Sequence, residues 1–172
     1  MDNNEIKKID KEIKFLEDME NSLKVKLNSC YGALGSKFSI FYDLDNAISV
    51  TTCGQNIIKH AEVEAKKYFI EKYGMSHSPV IYIDTDSLFV SYLELMKKLK
   101  LDIDGVRTHS DDLREHLNQS YNDFCHQYFN ISKQYFVFKK EIIADHILFI
   151  EKKHYIVHML ENEGIPVTRK NH

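Results

Sequence analysis

The sequence predicts an α+β fold in which long helices lead into a small antiparallel sheet. Three observations predict it. Apolar residues recur at helical spacing over residues 4–31, and a second helical stretch covers residues 46–72. Short β-rich runs flank an Asp-Thr-Asp triplet within residues 79–91, and residues 134–160 are rich in Phe, Ile, Tyr and Val. Only 6 glycines and 2 prolines interrupt the chain, so long elements are expected.

The first predicted helix has one apolar face and a glycine-containing end. Its apolar residues follow steps of three, four and seven, which place them on one side of a helix. These residues are Ile6, Ile9, Ile13, Leu16, Leu23 and Leu27. The segment from Tyr31 to Ser36 contains two glycines and is expected to break or end the helix.

The later elements are predicted from caps and composition. Asn46 is a plausible N-cap of the second helix, and Tyr73-Gly74 is its expected stop. A hairpin follows at 79–91, and a short helix is expected at 92–100. A longer helix is predicted over 110–130, because Ser110-Asp111-Asp112 offers a cap with acids in the first turn. Residues 134–160 are expected to form two or three strands.

Composition excludes several classes of protein. The 172 residues are 43% hydrophobic, yet no apolar stretch approaches the roughly 20 residues that span a bilayer. Three cysteines are too few for a disulfide framework, and the polar N-terminus is not a secretory signal, so a reducing intracellular compartment is expected. The net charge of −3 means that any phosphate-binding surface must be a local lysine patch. The candidate patches are Lys24/Lys26, Lys133/Lys139/Lys140 and Lys152/Lys153.

The triplet Asp84-Thr85-Asp86 is the strongest candidate for chemistry. It lies between two apolar runs, so a hairpin would present both carboxylates at its tip. Two crowded carboxylates repel each other unless a cation lies between them, and hard oxygen ligands of this kind suit Mg²⁺. The alternative is an ordinary Asx-type turn, because Asp is a favoured turn residue.

A second candidate is a row on the first helix. Lys24, Asn28 and Tyr31 are offset by four and seven residues, which aligns their side chains. A cation, an amide and an aromatic ring in this order suit a phosphate, a sugar or phosphate oxygen, and a base. The alternative is a solvated helix face whose terminal tyrosine covers the core.

Three segments together resemble motifs of the family B DNA polymerases. The segment from Lys24 to Gly32 resembles the motif K-x-x-x-N-S-x-Y-G, and Ile81 to Ser87 resembles Y-G-D-T-D-S. Lys152-Lys153-His154-Tyr155 resembles K-K-x-Y. The motifs occur in the family's order, and the joining sequence is similar to that of T-even-type phage replicative polymerases. The resemblance covers roughly residues 20–163.

The resemblance implies a role for each candidate residue in nucleotide transfer. Asp86 corresponds to the metal-binding carboxylate of the palm domain, and Asp84 to its companion, which shapes the field near the metals. Lys24 would neutralise the triphosphate of an incoming deoxynucleoside triphosphate, and Asn28 would lie beside it. Tyr31 would pack beneath the nascent base pair.

The resemblance also implies contacts with primer–template DNA and with metal. Lys152, Lys153 and Tyr155 would contact the backbone and minor groove of the primer strand, where acceptors are similar in all base pairs. Glu141 is similar to an acidic residue near the family's active centre and is a further possible metal ligand. Two Mg²⁺ ions would clamp the attacking and leaving oxygens of an in-line displacement.

The match to the family is partial. The resemblance implies a fingers-type helix at 1–31, a partial palm at 32–163 and a C-terminal tail at 164–172. No segment matches D-x-x-S-L-Y-P, the motif that carries the second metal-binding carboxylate. Ile83 stands where the family has glycine, and its side chain is expected to crowd the backbone beside the tip.

Two hypotheses follow. The first is a subunit of a split DNA polymerase, whose second polypeptide carries the D-x-x-S-L-Y-P motif and which works in the cytoplasm of a bacterial or virus-infected cell. The second is a non-catalytic module that binds primer–template DNA or another partner. A membrane partner is not expected. Nine histidines include no H-x-x-x-H pair on a predicted helix, so no zinc site is predicted.

Overall fold

The structure is a computed structural model that describes residues 3–167. Its elements are α1 (Asn3–Gly35), α2 (Leu44–Tyr73), β1 (Val80–Asp84), β2 (Ser87–Val90), α3 (Leu93–Leu99), α4 (Ile103–Phe129), β3 (Ile142–Glu151), β4 (His154–Asn162) and β5 (Ile165–Pro166). Helices with small antiparallel sheets confirm the α+β class. The chain divides into two compact units, Met1–Cys53 and Gly54–His172. Of the predicted tail, residues 168–172 lie outside the described part, as do residues 1 and 2.

In the first unit, α1 ends inside the predicted terminating segment, at Gly35. Every residue of its predicted apolar face is exposed, from 39% at Ile9 to 71% at Leu27. The expected N-cap of α2 was wrong by three residues. Asp43 is the cap, and its Oδ1 accepts the Asn46 N–H at 3.0 Å, while the Asn46 amide donates to its Oδ2. A capping side chain must precede the first turn to reach these free N–H groups.

Side chains from α2, α3 and α4 build the core of the second unit. The completely buried ones are Ala61, Ala65, Phe69, Leu95, Tyr121 and Cys125. The Tyr121 hydroxyl donates to the Ile57 carbonyl at 3.1 Å, so its polar end is satisfied inside the core. Apolar residues of β1 and β2 are half-buried against this core, which fixes the base of their hairpin. These residues are Val80, Ile83, Leu88 and Val90.

The predicted start of α4 was wrong by seven residues. The helix begins at Ile103 and runs through Ser110, and Asp102 is its N-cap. The Asp102 carboxylate accepts the Gly105 N–H at 2.8 Å, which satisfies a donor of the first turn. The Ser110 hydroxyl instead donates to the Arg107 carbonyl within the helix.

The predicted β region begins later than expected. Residues 132–141 form no strand in the described part of the chain, and one reason is the side chain of Asn118. The Asn118 amide donates to the Phe138 carbonyl at 3.0 Å and accepts the Phe138 N–H at 2.7 Å. These groups are therefore unavailable for a sheet ladder. The sheet itself has three antiparallel strands in the order β3-β4-β5.

No helix within residues 3–167 is long and apolar enough to cross a membrane.

Candidate active site

The Asp-Thr-Asp triplet forms the end of the first hairpin. Asp84 is the last residue of β1 and lies opposite Ser87 of β2, with Thr85 and Asp86 as the connecting turn. The Ile83 side chain, expected to crowd this tip, is half-buried against the hydrophobic core. Successive side chains of a strand point to opposite faces, so Ile83 is directed away from the Asp84 carboxylate.

Local hydrogen bonds hold the Asp84 carboxylate in its charged form. The Thr85 N–H donates to Asp84 Oδ1 at 2.8 Å, and the Thr85 hydroxyl donates to the same oxygen at 3.2 Å. The backbone hydrogen bond from Thr85 is the largest cause that lowers the pKa of Asp84, and the charge of Lys153 adds to it. Asp84 is therefore a permanent negative charge at neutral pH.

A second turn reaches this tip from a distant part of the sequence. Lys152 and Lys153 form the turn between β3 and β4, and Lys153 adopts a left-handed conformation with φ 68°. Its Nζ lies 3.6 Å from Asp84 Oδ1, and its backbone N–H donates to the Tyr82 hydroxyl at 3.2 Å. The Asp-Thr-Asp and Lys-Lys motifs are therefore in contact within the second unit.

Two pairs of aromatic residues hold the turns together. Tyr82 lies opposite Phe89 in the first hairpin, and Phe149 lies opposite Tyr155 in the second. Ring centroids of Tyr82 and Phe149 are 4.9 Å apart, and those of Phe89 and Tyr155 are 5.3 Å apart. Such pairs each add about 0.5–1.5 kcal/mol beyond area burial. Sequence reasoning missed this support, although an aromatic residue on each strand beside a motif was the available signal.

Tyr155 therefore packs against the tip and is still 38% exposed. Its contact with DNA stays a prediction, and the exposed part of the side chain is accessible to a ligand. Lys152 is exposed on the same turn, and the Lys153 side chain is 59% exposed despite its contact with Asp84. An ion pair this exposed adds little to stability, so the lysine is free to exchange Asp84 for another anion.

Asp86 differs from Asp84 in its contacts with the described residues. Its side chain is exposed, and no group within residues 3–167 forms a hydrogen bond or ion pair with its carboxylate. Glu141 is exposed, and its backbone carbonyl accepts the Glu163 N–H. Asp84, Asp86 and Glu141 do not form a compact three-ligand group in the described chain. The assignment of Glu141 as a ligand stays a prediction.

The candidate nucleotide-binding row lies on α1 in the first unit. Lys24, Asn28 and Tyr31 are all exposed and spaced along one continuous helix, which aligns their side chains as predicted from the sequence. Tyr31 is 43% exposed, and so its ring offers a face for stacking. The roles of these residues in nucleotide binding stay predictions.

Comparison with known proteins gives one consistent result. The model of DNA polymerase family B matches residues 3–171. The DNA-directed DNA polymerase of Escherichia phage RB69 is 39% identical over 77 residues, which are 44% of this chain and 8% of the relative. The DNA polymerase of Pyramimonas orientalis virus is 31% identical over 137 residues, or 80% of this chain and 9% of that protein. The Enterobacteria phage T4 enzyme is 34% identical over 97 residues, 56% of this chain and 10% of its own length. The chain therefore spans about a tenth of the curated relatives it matches.

Proposed function

The chain belongs to family B of the DNA polymerases, and from this premise we propose that it supplies part of the active centre of a DNA-directed DNA polymerase. One observation carries the proposal: Lys153 lies 3.6 Å from Asp84, at the tip that also presents Asp86. Asp86 would hold a metal ion for transfer of a nucleotide to a primer, and Lys153 at the same tip would contact a phosphate.

The donor atoms at the tip fit a hard divalent cation. The Thr85 hydrogen bonds and the Lys153 ion pair of Asp84 all fall on Oδ1. Asp86 presents an exposed carboxylate, and one or two carboxylates are the protein share of a typical Mg²⁺ shell. Asp86 would hold Mg²⁺ and Asp84 would set the negative field beside it. When bound, two Mg²⁺ ions would supply Lewis acidity for the primer hydroxyl and the triphosphate.

The chain's other candidate residues would position the substrates. The primer backbone and minor groove would contact Lys152, Lys153 and the exposed part of Tyr155. These contacts would orient the primer end toward Asp86. On α1, Lys24 and Asn28 would bind the triphosphate of a deoxynucleoside triphosphate, and Tyr31 would pack beneath its base. Contacts to phosphate are independent of sequence, as a template-directed enzyme needs.

A second carboxylate must join Asp86 for two-metal chemistry, and it would come from a D-x-x-S-L-Y-P segment outside this sequence. We infer that this segment belongs either to a separate polypeptide, as in a split enzyme, or to further residues of the same protein. In both cases, mixing this chain with a polypeptide that carries the segment shows whether the assembled site is active.

The test is primer extension with Mg²⁺, using the chain together with a polypeptide that carries the D-x-x-S-L-Y-P segment. We expect extension by the mixture and its loss in Asp86→Asn. The matched control is Asp123→Asn, because Asp123 is an exposed acid on α4, outside the proposed site. Extension that survives Asp86→Asn, or fails with both partners folded, would refute the proposal.

The alternative, a DNA-binding module without catalysis, rests on the exposed Lys152 and Lys153 turn, which needs no metal to contact phosphates. Fluorescence anisotropy with a labelled primer–template separates the two functions. Lys153→Ala should weaken binding and reduce the salt slope by about 1, whereas Lys97→Ala on α3 should not. Binding that depends on Lys153 without any extension by the mixture would favour the module.

A further inference from the structure

A second cluster of chemically active side chains lies on the β3–β4 hairpin. It comprises Asp145 and His146 on β3 and His158 on β4. Among residues 3–167, it is the group of three carboxylate, imidazole or thiol side chains whose ligand atoms all lie within 4.8 Å of one another. The cluster has no part in the nucleotide-transfer chemistry proposed above.

An irregular stretch of the β3–β4 ladder lies beside the cluster. The pairs run Ile143–Glu161, Ala144–Met159 and His146–His158, so the register shifts on both sides of Ala144 and Asp145 has no paired residue on β4. In a regular strand, neighbouring side chains point to opposite faces, and Asp145 and His146 would be separated. The irregular register accompanies the approach of these two consecutive side chains to one point.

The distances place the three side chains around one point. His158 Nδ1 lies 2.5 Å from Asp145 Oδ1, and His146 Nδ1 lies 3.1 Å from the same oxygen. The Asp145 and His158 side chains are 34% and 43% exposed, and that of His146 is 84% exposed. The cluster is therefore open to an ion from solvent.

The donor set is that of a transition-metal site. Two imidazoles and one carboxylate bind Zn²⁺ in proteins, with the fourth tetrahedral position left open. Bond lengths of about 2.0–2.2 Å imply ligand atoms about 3.3 Å apart. Two separations from Asp145 Oδ1 are 2.5 Å and 3.1 Å, and all three ligand atoms lie within 4.8 Å of one another, so the cluster is comparable in size to such a site. Nitrogen ligands disfavour Mg²⁺, which prefers oxygen.

We propose that Asp145, His146 and His158 bind one divalent transition-metal ion of the zinc class and thereby cross-link β3 to β4. The metal replaces the hydrogen bonds that now join both imidazoles to the carboxylate, and any bound protons leave to solvent. The cross-link lies on the same two strands that carry the Lys152–Lys153 turn. Metal binding therefore stiffens this hairpin, independently of Mg²⁺ at Asp86.

The experiment is calorimetric titration of the full chain with Zn²⁺, with Mg²⁺ as a second titrant. We expect one equivalent of Zn²⁺ with an affinity that Mg²⁺ does not approach. Asp145→Asn and His158→Gln should each weaken Zn²⁺ binding by more than about tenfold, because even outer-shell partners are worth about 10–100-fold. The matched control is His154→Gln, since His154 lies on β4 and also contacts a carboxylate, that of Glu151.

A measurement on the unmodified chain guards against variants that misfold. Zn²⁺ should protect His146 and His158 from diethyl pyrocarbonate, as read by mass spectrometry, and should leave His154 reactive. Two results would overturn the proposal. One is equal Zn²⁺ affinity in His158→Gln and His154→Gln, which would place the ion on other histidines. The other is no protection at saturating Zn²⁺, which would leave the cluster as a hydrogen-bonded carboxylate–imidazole group only.

Discussion

The Asn118 side chain joins α4 to the segment that leads into the second hairpin. Asn118 makes two hydrogen bonds to the backbone of Phe138, at 3.0 Å and 2.7 Å, and both residues are half-buried. We predict that Asn118→Ala destabilises the second unit because both backbone groups lose their partners. Two hydrogen bonds at about 1 kcal/mol each give about 2 kcal/mol.

The higher helix propensity of alanine offsets part of the stability lost in Asn118→Ala. Alanine is favoured over asparagine inside a helix by about 0.6 kcal/mol, so the expected net loss is about 1.4 kcal/mol. Asn122→Ala is the matched control, because Asn122 lies on α4 one turn later and is exposed. That variant should gain about 0.6 kcal/mol, which leaves a difference of about 2 kcal/mol between the two variants.

The assay is urea unfolding followed by circular dichroism, together with hydrogen exchange of the Phe138 amide. At a denaturant slope of about 2 kcal/mol per molar urea, the two variants should differ in midpoint by about 1 M. Phe138 exchange should accelerate in Asn118→Ala only. Equal midpoints, or unchanged exchange at Phe138, would refute the role assigned to this side chain.

Three further predictions concern the same unit. Burial lowers the pKa of His60, whose ring stacks on Phe124. Because its folded pKa lies below the unfolded value of 6.5, the free energy of unfolding should decrease as pH falls below about 6.5. Urea unfolding measures this dependence, and an equal pH slope in a His60→Gln variant would contradict the prediction. Asp102→Ala removes the cap of α4 and should cost about 1 kcal/mol in urea unfolding, whereas no change would show that Asp102 does not cap the helix. Phe69→Ala should cost about 3–5 kcal/mol of stability because Phe69 is fully buried. Phe15→Ala, at an exposed position, should change stability by less than about 0.5 kcal/mol. Thermal unfolding compares the two variants, and equal losses of stability would contradict the burial argument.

The errors of sequence reasoning have identifiable physical causes. The segment Ser110-Asp111-Asp112 has the composition of a helix start, yet the helix already runs through it from the Asp102 cap. Likewise Asn46 is a residue type that often caps helices, but Asp43 is the residue whose carboxylate reaches the first turn. Several residues of suitable type stand close together in both places, and local composition does not choose among them.

The cluster of Asp145, His146 and His158 shows a different limit of prediction from sequence. Asp145 and His146 are neighbours in sequence, but His158 is twelve residues away from His146 and becomes its neighbour only by strand pairing. Histidines that meet across two strands show no helical spacing in the sequence. The irregular register beside Asp145 is equally invisible there, because it depends on the pairing of two strands.

The α+β class, the long helices and the three motifs can be predicted from the sequence, because periodicity and motif chemistry are local properties of the chain. The order of those motifs indicates the family, and the match of the family model to residues 3–171 shows it. Which charged groups meet is set by the tertiary structure. The approach of Lys153 to Asp84 spans 69 positions in the chain and depends on aromatic packing between Tyr82, Phe89, Phe149 and Tyr155. That packing leaves Asp86 exposed beside a partnered Asp84, since contacts between distant side chains are set by the packing of whole elements.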